Sequence, residues 1–142
     1  MYRTYSKRQA ADALISRAID LYLRVGDYIG ALVLAGSAET MIGEMLRDGG
    51  TMNSRSELSA AAAALSGAPA CEGAIRSASR EVLDWLRHSG QPLAARPEIR
   101  FSPQSEAADA IEHALSNYRL VWGDYPPALV EWDEARRRRS DP

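Results

Sequence analysis

Residues 26–50 read GDYIGALVLAGSAETMIGEMLRDGG, and this stretch decides the fold. Apolar side chains fall on nearly every side of the helix it would form. Gly30, Ala31, Ala35, Gly36, Ala38 and Gly43 are small, and the carboxylate of Glu39 sits among them. A helix that is apolar all round belongs in the centre of a bundle. Each interior glycine costs a helix about 1 kcal/mol relative to alanine, which close approach of a neighbouring backbone would offset. Asp27 suits the N-cap, and Gly49 and Gly50 suit the stop. The stretch therefore predicts a buried central helix with close neighbours.

The flanking sequence supplies those neighbours. Ser6 and Gln9 form a capping box that opens a first helix. Leu14, Ala18, Leu21, Tyr22 and Val25 then follow at helical spacing. Gly26 ends that helix, and the short Gly26–Asp27 link predicts tight antiparallel packing of the first two helices. Ser54 and Glu57 open a third helix over 54–65, and a fourth runs over about 71–88 with Ile75, Ala78, Val82, Leu83 and Leu86 as its core stripe. Gly90, Pro92 and Pro97 make 89–101 a loop. Ser102 and Pro103 open a fifth helix whose core face is Ala107, Ile111, Ala114, Leu115, Tyr118 and Trp122; Gly123 closes it. A short sixth helix follows Pro126 and Pro127, with Leu129, Val130 and Trp132 as its apolar contacts. The expected architecture is an all-α bundle of five or six helices in one domain, 1–142. Its central antiparallel hairpin spans 6–48, and a short C-terminal helix and basic tail span 125–142.

Composition narrows the function. The chain has 142 residues, 46% hydrophobic and 25% charged, with a formal net charge of -2. That balance argues against a protein built mainly to grip nucleic acid phosphates. Cys71 is the only cysteine, so no internal disulfide forms and a reducing cytoplasm is the expected compartment. The polar start MYRTYSKRQAADA lacks a secretory signal pattern. The uninterrupted apolar runs, such as 29–35, are short for a bilayer, so no membrane association is expected. There is no HExxH, paired-cysteine, GxGxxG, GxxxxGK[ST] or GxSxG pattern. No metal and no cofactor are expected.

Two constellations could carry chemistry. Arg80, Asp84 and His88 are spaced four apart and share a helix face, with Arg87 adjacent. Asp84 could pair with Arg80 and orient His88 for acid–base work. The same spacing also serves as ordinary helix-surface pairing, and a histidine at a helix C-terminus suits the macrodipole. Glu39 is either exposed on a thin polar stripe with Thr40, Gly43 and Arg47, or buried and paired, as a tie between helices or as part of a site. A polar pocket of Glu39, Asp84, Arg87 and His88 would suit a small anion, a nucleotide or RNA. A third arrangement is a carboxylate metal site of Glu39, Asp84 and His88. Arg136 to Arg139 form a basic run, with Asp133 and Glu134 four residues before Arg137 and Arg138, so a solvated helix end is the simpler reading. Trp85, Trp122 and Trp132 are expected as core or interface anchors, and His113 as a surface residue.

The segment AIDLYLRVGDYIGALVLAGSAETMIGEML resembles the first helical hairpin of a group of small bacterial proteins of unassigned function, with its AI-L, GD and A-TLAGAAEEIL run. That group's N-x-x-K-H turn corresponds to Asp84-Trp85-Leu86-Arg87-His88. Its F-P helix start corresponds to Phe101-Ser102-Pro103, and its C-terminal aromatic to Trp132. The bundle is similar to the HEPN class of helical domains. The resemblance implies a homodimer, and in active members a metal-independent ribonuclease. The active motif there is an arginine followed, after four to six residues, by histidine. Counting back from His88, those positions hold Leu83, Val82 and Glu81, and Arg80 lies one residue further; from His113 they hold Ala108, Ala107 and Glu106. The expectation is thus a non-catalytic HEPN-like interaction module. The alternative is a toxin- or defence-type ribonuclease using His88 with Arg80 or Arg87.

Overall fold

The computed structural model describes residues 1–49, 81–87 and 98–140. The expected helix over 54–65, the first part of the one over 71–88, Cys71, Arg80, His88 and the loop over 89–97 lie outside the described residues. Every regular element that is described is helical, and the protein is an all-α bundle.

Helix α1, Lys7–Asp20, begins at the capping box. Gln9 N donates to Ser6 Oγ at 3.1 Å, and Ser6 N donates to Gln9 Oε1 at 2.9 Å. Ala11, Ile15, Ala18 and Ile19 are its buried side chains. The chain then widens into a π-helical turn, Leu21–Val25. A π turn accommodates one extra residue and so rotates the following face. Tyr22 is buried, but Val25 is 63% exposed, and Leu14 and Leu21 are half-buried. Of the expected stripe, Ala18 and Tyr22 are buried and Leu14 and Leu21 pack against the core, joined by Ile15 and Ile19; Val25 is the correction, since it sits exposed at the hairpin tip. Gly26 closes the turn with φ 75°, a left-handed conformation that glycine adopts without a Cβ clash.

Helix α2, Tyr28–Asp48, starts where Gly30 N donates to Asp27 Oδ1 at 2.8 Å. Leu32, Ala35, Ala38, Ile42 and Leu46 are buried along it. The helix is long enough to cross a bilayer and holds an 18-residue window of mean hydropathy 1.3. Half of that apolar window is buried inside the bundle, as in a core helix. Helix α2 packs against α1 and, more extensively, against α3, Pro103–Trp122. Helix α3 opens on Ser102 with Pro103 in its first turn and ends at Gly123, φ 80°. Its buried face is Ala107, Ala110, Ile111, Ala114, Leu115, Asn117 and Tyr118.

Helix α4, Leu129–Ser140, packs against the π turn through Trp132 and Tyr22 and bonds to Glu112 of α3. Arg8 near the start of α1 meets Asp124, while Arg24 at the far end meets Glu131 at 2.6 Å. Trp132 is buried edge-on against Tyr22, with ring centroids 5.1 Å apart. Val130, expected as an apolar contact, is 64% exposed, while Trp132 is buried and Leu129 packs half-buried against the core, as expected.

Candidate functional site

The helical segment 81–87 docks on α2 through Val82 and Leu83, both buried. Gly36 leaves the notch that receives Leu83. A Cβ at position 36 would lie 2.6 and 2.7 Å from the two Leu83 methyls, closer than carbon atoms tolerate. The small residues of α2 were expected to admit helix α1. At Gly36 the close neighbour is instead segment 81–87, while Gly30 faces Leu21 and its own cap, Asp27.

One turn beyond Leu83, Arg87 reaches back to the same face of α2. Its Nη2 donates to Ser37 Oγ at 2.7 Å and to the Val33 carbonyl at 3.2 Å. Ser37 Oγ in turn donates to Val33 O at 2.8 Å. The three groups form a closed, half-buried node. Arg87 thus supplies a charge to hydroxyl and carbonyl oxygens that α2 already holds in place, and hydrogen bonds with an ionised donor are stronger than neutral ones.

Glu39 lies elsewhere. Two residues along a helix amount to a rotation of about 200°, so Glu39 and Ser37 project from nearly opposite sides of α2. Glu39 is 1% exposed. Its backbone carbonyl accepts from Asn117 Nδ2 of α3 at 3.4 Å, and Asn117 is equally buried. Both residues also interact with further groups. Of the two readings left open for Glu39, the structure takes the buried one.

The expected constellation is thus only partly brought together. Asp84 is exposed, Arg87 is half-buried on the Val33–Ser37 face, and Glu39 is enclosed on the far side. Trp85 is half-buried and in contact with another group, and His113 is also half-buried and engaged, not the plain surface residue expected. Arg80 and His88 lie outside the described residues. Among the described residues no three His, Cys, Asp or Glu side chains gather as a metal site would require.

The basic run on α4 is largely committed. Arg136 Nη1 donates to Glu112 Oε1 at 2.6 Å, and the same oxygen accepts from buried Trp132 Nε1 at 2.7 Å. Arg138 pairs with Glu134 at 3.5 Å, as the four-residue spacing predicts. Arg139 stacks over the Tyr22 ring and donates to its hydroxyl at 3.1 Å.

A polar network that the sequence reading missed crosses from α1 to the end of α3. Arg8 Nε donates to the Tyr118 hydroxyl, and Arg8 Nη2 donates to both oxygens of Asp124, all at 2.9 Å. The Tyr118 hydroxyl donates to Asp12. Burial, then the hydrogen bond to Asp12, push the Tyr118 pKa up, against a smaller downward pull from Arg8. The hydrogen bonds to Asp124 and Tyr118 hold the Arg8 guanidinium more firmly protonated. The partners are more than a hundred residues apart in sequence, so no local spacing announces them. No protein-family profile, curated protein or solved structure matches this chain.

Proposed function

We propose that the chain is a non-catalytic, HEPN-like interaction module that acts as a homodimer in a bacterial cytoplasm. The observation that carries this reading is the use of Arg87. Its guanidinium ties segment 81–87 to Val33 and Ser37 of α2 and so holds the fold together. A phosphate-binding arginine in a nuclease would instead aim its donors at the scissile group. The absence of the arginine–histidine spacing in the sequence agrees with this. The ligand class that goes with this reading is a small anion, a nucleotide or RNA.

Two measurements test it. Light scattering across a concentration series should give the mass of a dimer, and a monomer at high concentration would remove that part. Incubation with RNA in the absence of metal should give no cleavage. Cleavage by the wild type that is lost in His88→Ala would replace this reading with the ribonuclease one, in which His88 works with Arg80 or Arg87.

A further inference from the structure

A cleft of about 250 Å³ opens between α3 and the last turns of α4, beside Tyr22. It is smaller than the clefts that hold drug-sized ligands, so a molecule of a few heavy atoms suits it. Buried Tyr22 and Trp132 contribute its aromatic surface, and four charged side chains line it. Two of the four answer each other: Arg136 pairs with Glu112 at 2.6 Å, and the same Glu112 oxygen takes the Trp132 N–H. The other two do not. Arg139 donates from Nη1 to the Tyr22 hydroxyl at 3.1 Å, and its guanidinium carbon lies 5.3 Å from the centroid of that ring. Both of these contacts are to a neutral side chain. Among the described residues no carboxylate pairs with Arg139, and its Nε and Nη2 donors are uncommitted. Asp109, across the cleft on α3, is exposed and forms no hydrogen bond or ion pair among the described residues, with Arg139 or with any other group.

An exposed arginine is ordinarily loose, and fixing it costs conformational entropy. Here Tyr22 has already restrained the guanidinium, and such preorganisation favours binding. Two opposite charges therefore line one small cleft, both open to solvent and neither satisfied by the other. A lone anion would meet Asp109 as a like charge, and a lone cation would meet Arg139. A single molecule that carries both complementary charges satisfies the two together.

We propose that this cleft binds a small zwitterion, an ammonium and an anionic group a few bonds apart, as in a free amino acid. Arg139 takes the anionic group through its uncommitted donors, and Asp109 takes the ammonium. The site shares no residue with segment 81–87 and is independent of the HEPN-like reading.

The test is a two-dimensional amide NMR titration of the full chain with L-alanine, using propanoate and ethylamine as the counterparts that carry one charge each. Alanine should produce saturable shifts at residues 108–112 and 136–140, at lower concentration than either counterpart. Arg139→Gln should weaken alanine binding about tenfold, as loss of one charged hydrogen-bonding partner implies. Asp109→Asn should weaken it similarly and bring alanine and propanoate to like affinity, because the charge that disfavours the lone anion is gone. A merely structural role for Asp109 would not produce that convergence. O-phosphoethanolamine separates two sources of the same chemistry. Tighter binding of alanine assigns the cleft to a free amino acid, and tighter binding of O-phosphoethanolamine assigns it to a phosphorylated amine such as a lipid headgroup. Absence of saturable shifts with both zwitterions, equal binding of propanoate or ethylamine to the wild type, or undiminished binding by either variant would overturn the proposal.

Discussion

Replacing Gly36 with alanine should destabilise the protein, although alanine is the better helix former. The propensity gain is about 1 kcal/mol. Against it stands Leu83, which is only 4% exposed and has both methyls within 2.7 Å of the new Cβ, with its Cγ at 3.2 Å. Rotating the methyls alone leaves Cγ tight, so segment 81–87 must move off α2. Overpacking of this kind costs about 1–3 kcal/mol. The net result is a loss of about 0–2 kcal/mol where an exposed helix would gain. Leu83→Ala alone should cost about 2–5 kcal/mol from lost burial and a residual cavity. In the double variant the methyl introduced at position 36 occupies part of that cavity, and the sum of the single effects should exceed the double by about 1–3 kcal/mol. Urea denaturation followed by far-UV circular dichroism measures all four corners of the cycle, with an unchanged slope as the check that the unfolded states are comparable. Stabilisation by Gly36→Ala, with effects additive to within about 0.5 kcal/mol, would refute docking of Leu83 into the Gly36 notch.

Two further outcomes follow from the polar contacts. Glu112→Ala should cost about 1–3 kcal/mol, because it leaves the buried Trp132 N–H without its acceptor. Arg136→Ala, removing only the 59%-exposed partner of the same oxygen, should cost under about 1 kcal/mol. Equal losses in a urea titration read by tryptophan fluorescence would contradict that division. Tyr118 holds its proton more tightly folded than unfolded. Its contribution to stability is therefore complete below the ordinary tyrosine pKa of about 10 and declines as pH rises from there through the higher folded value. Tyr118→Phe should flatten the alkaline fall in stability relative to wild type, and parallel pH profiles would exclude the effect.

The parts of the fold that local chemistry determines were legible in the sequence. The Ser6–Gln9 box, the Asp27 cap, Gly26, the Ser102–Pro103 start and Gly123 each act within one helical turn, and each is found where its residues place it. The stripe of α1 was legible through Tyr22 and missed at Val25, where the π turn rephases the chain, and apolar spacing alone carries no mark of that turn. The glycines announced close packing but could not name the neighbour, since Leu83 meets Gly36 only through the tertiary fold. The same applies to the site residues. Arg87 was legible as a candidate by its place on the helix, yet its role depends on Val33 and Ser37, at least 50 residues away. Glu39 was legible as anomalous in an apolar helix. Which way it pointed depended on where Asn117 of α3 came to lie.

The central claim is that α2 is the buried spine on which α1, segment 81–87 and α3 all dock. Native-state amide hydrogen exchange tests it most directly. Amides between Ala31 and Leu46 should exchange only with global unfolding, at the free energy given by denaturant titration. Rapid exchange along that stretch, through local opening far below the global value, would contradict the account.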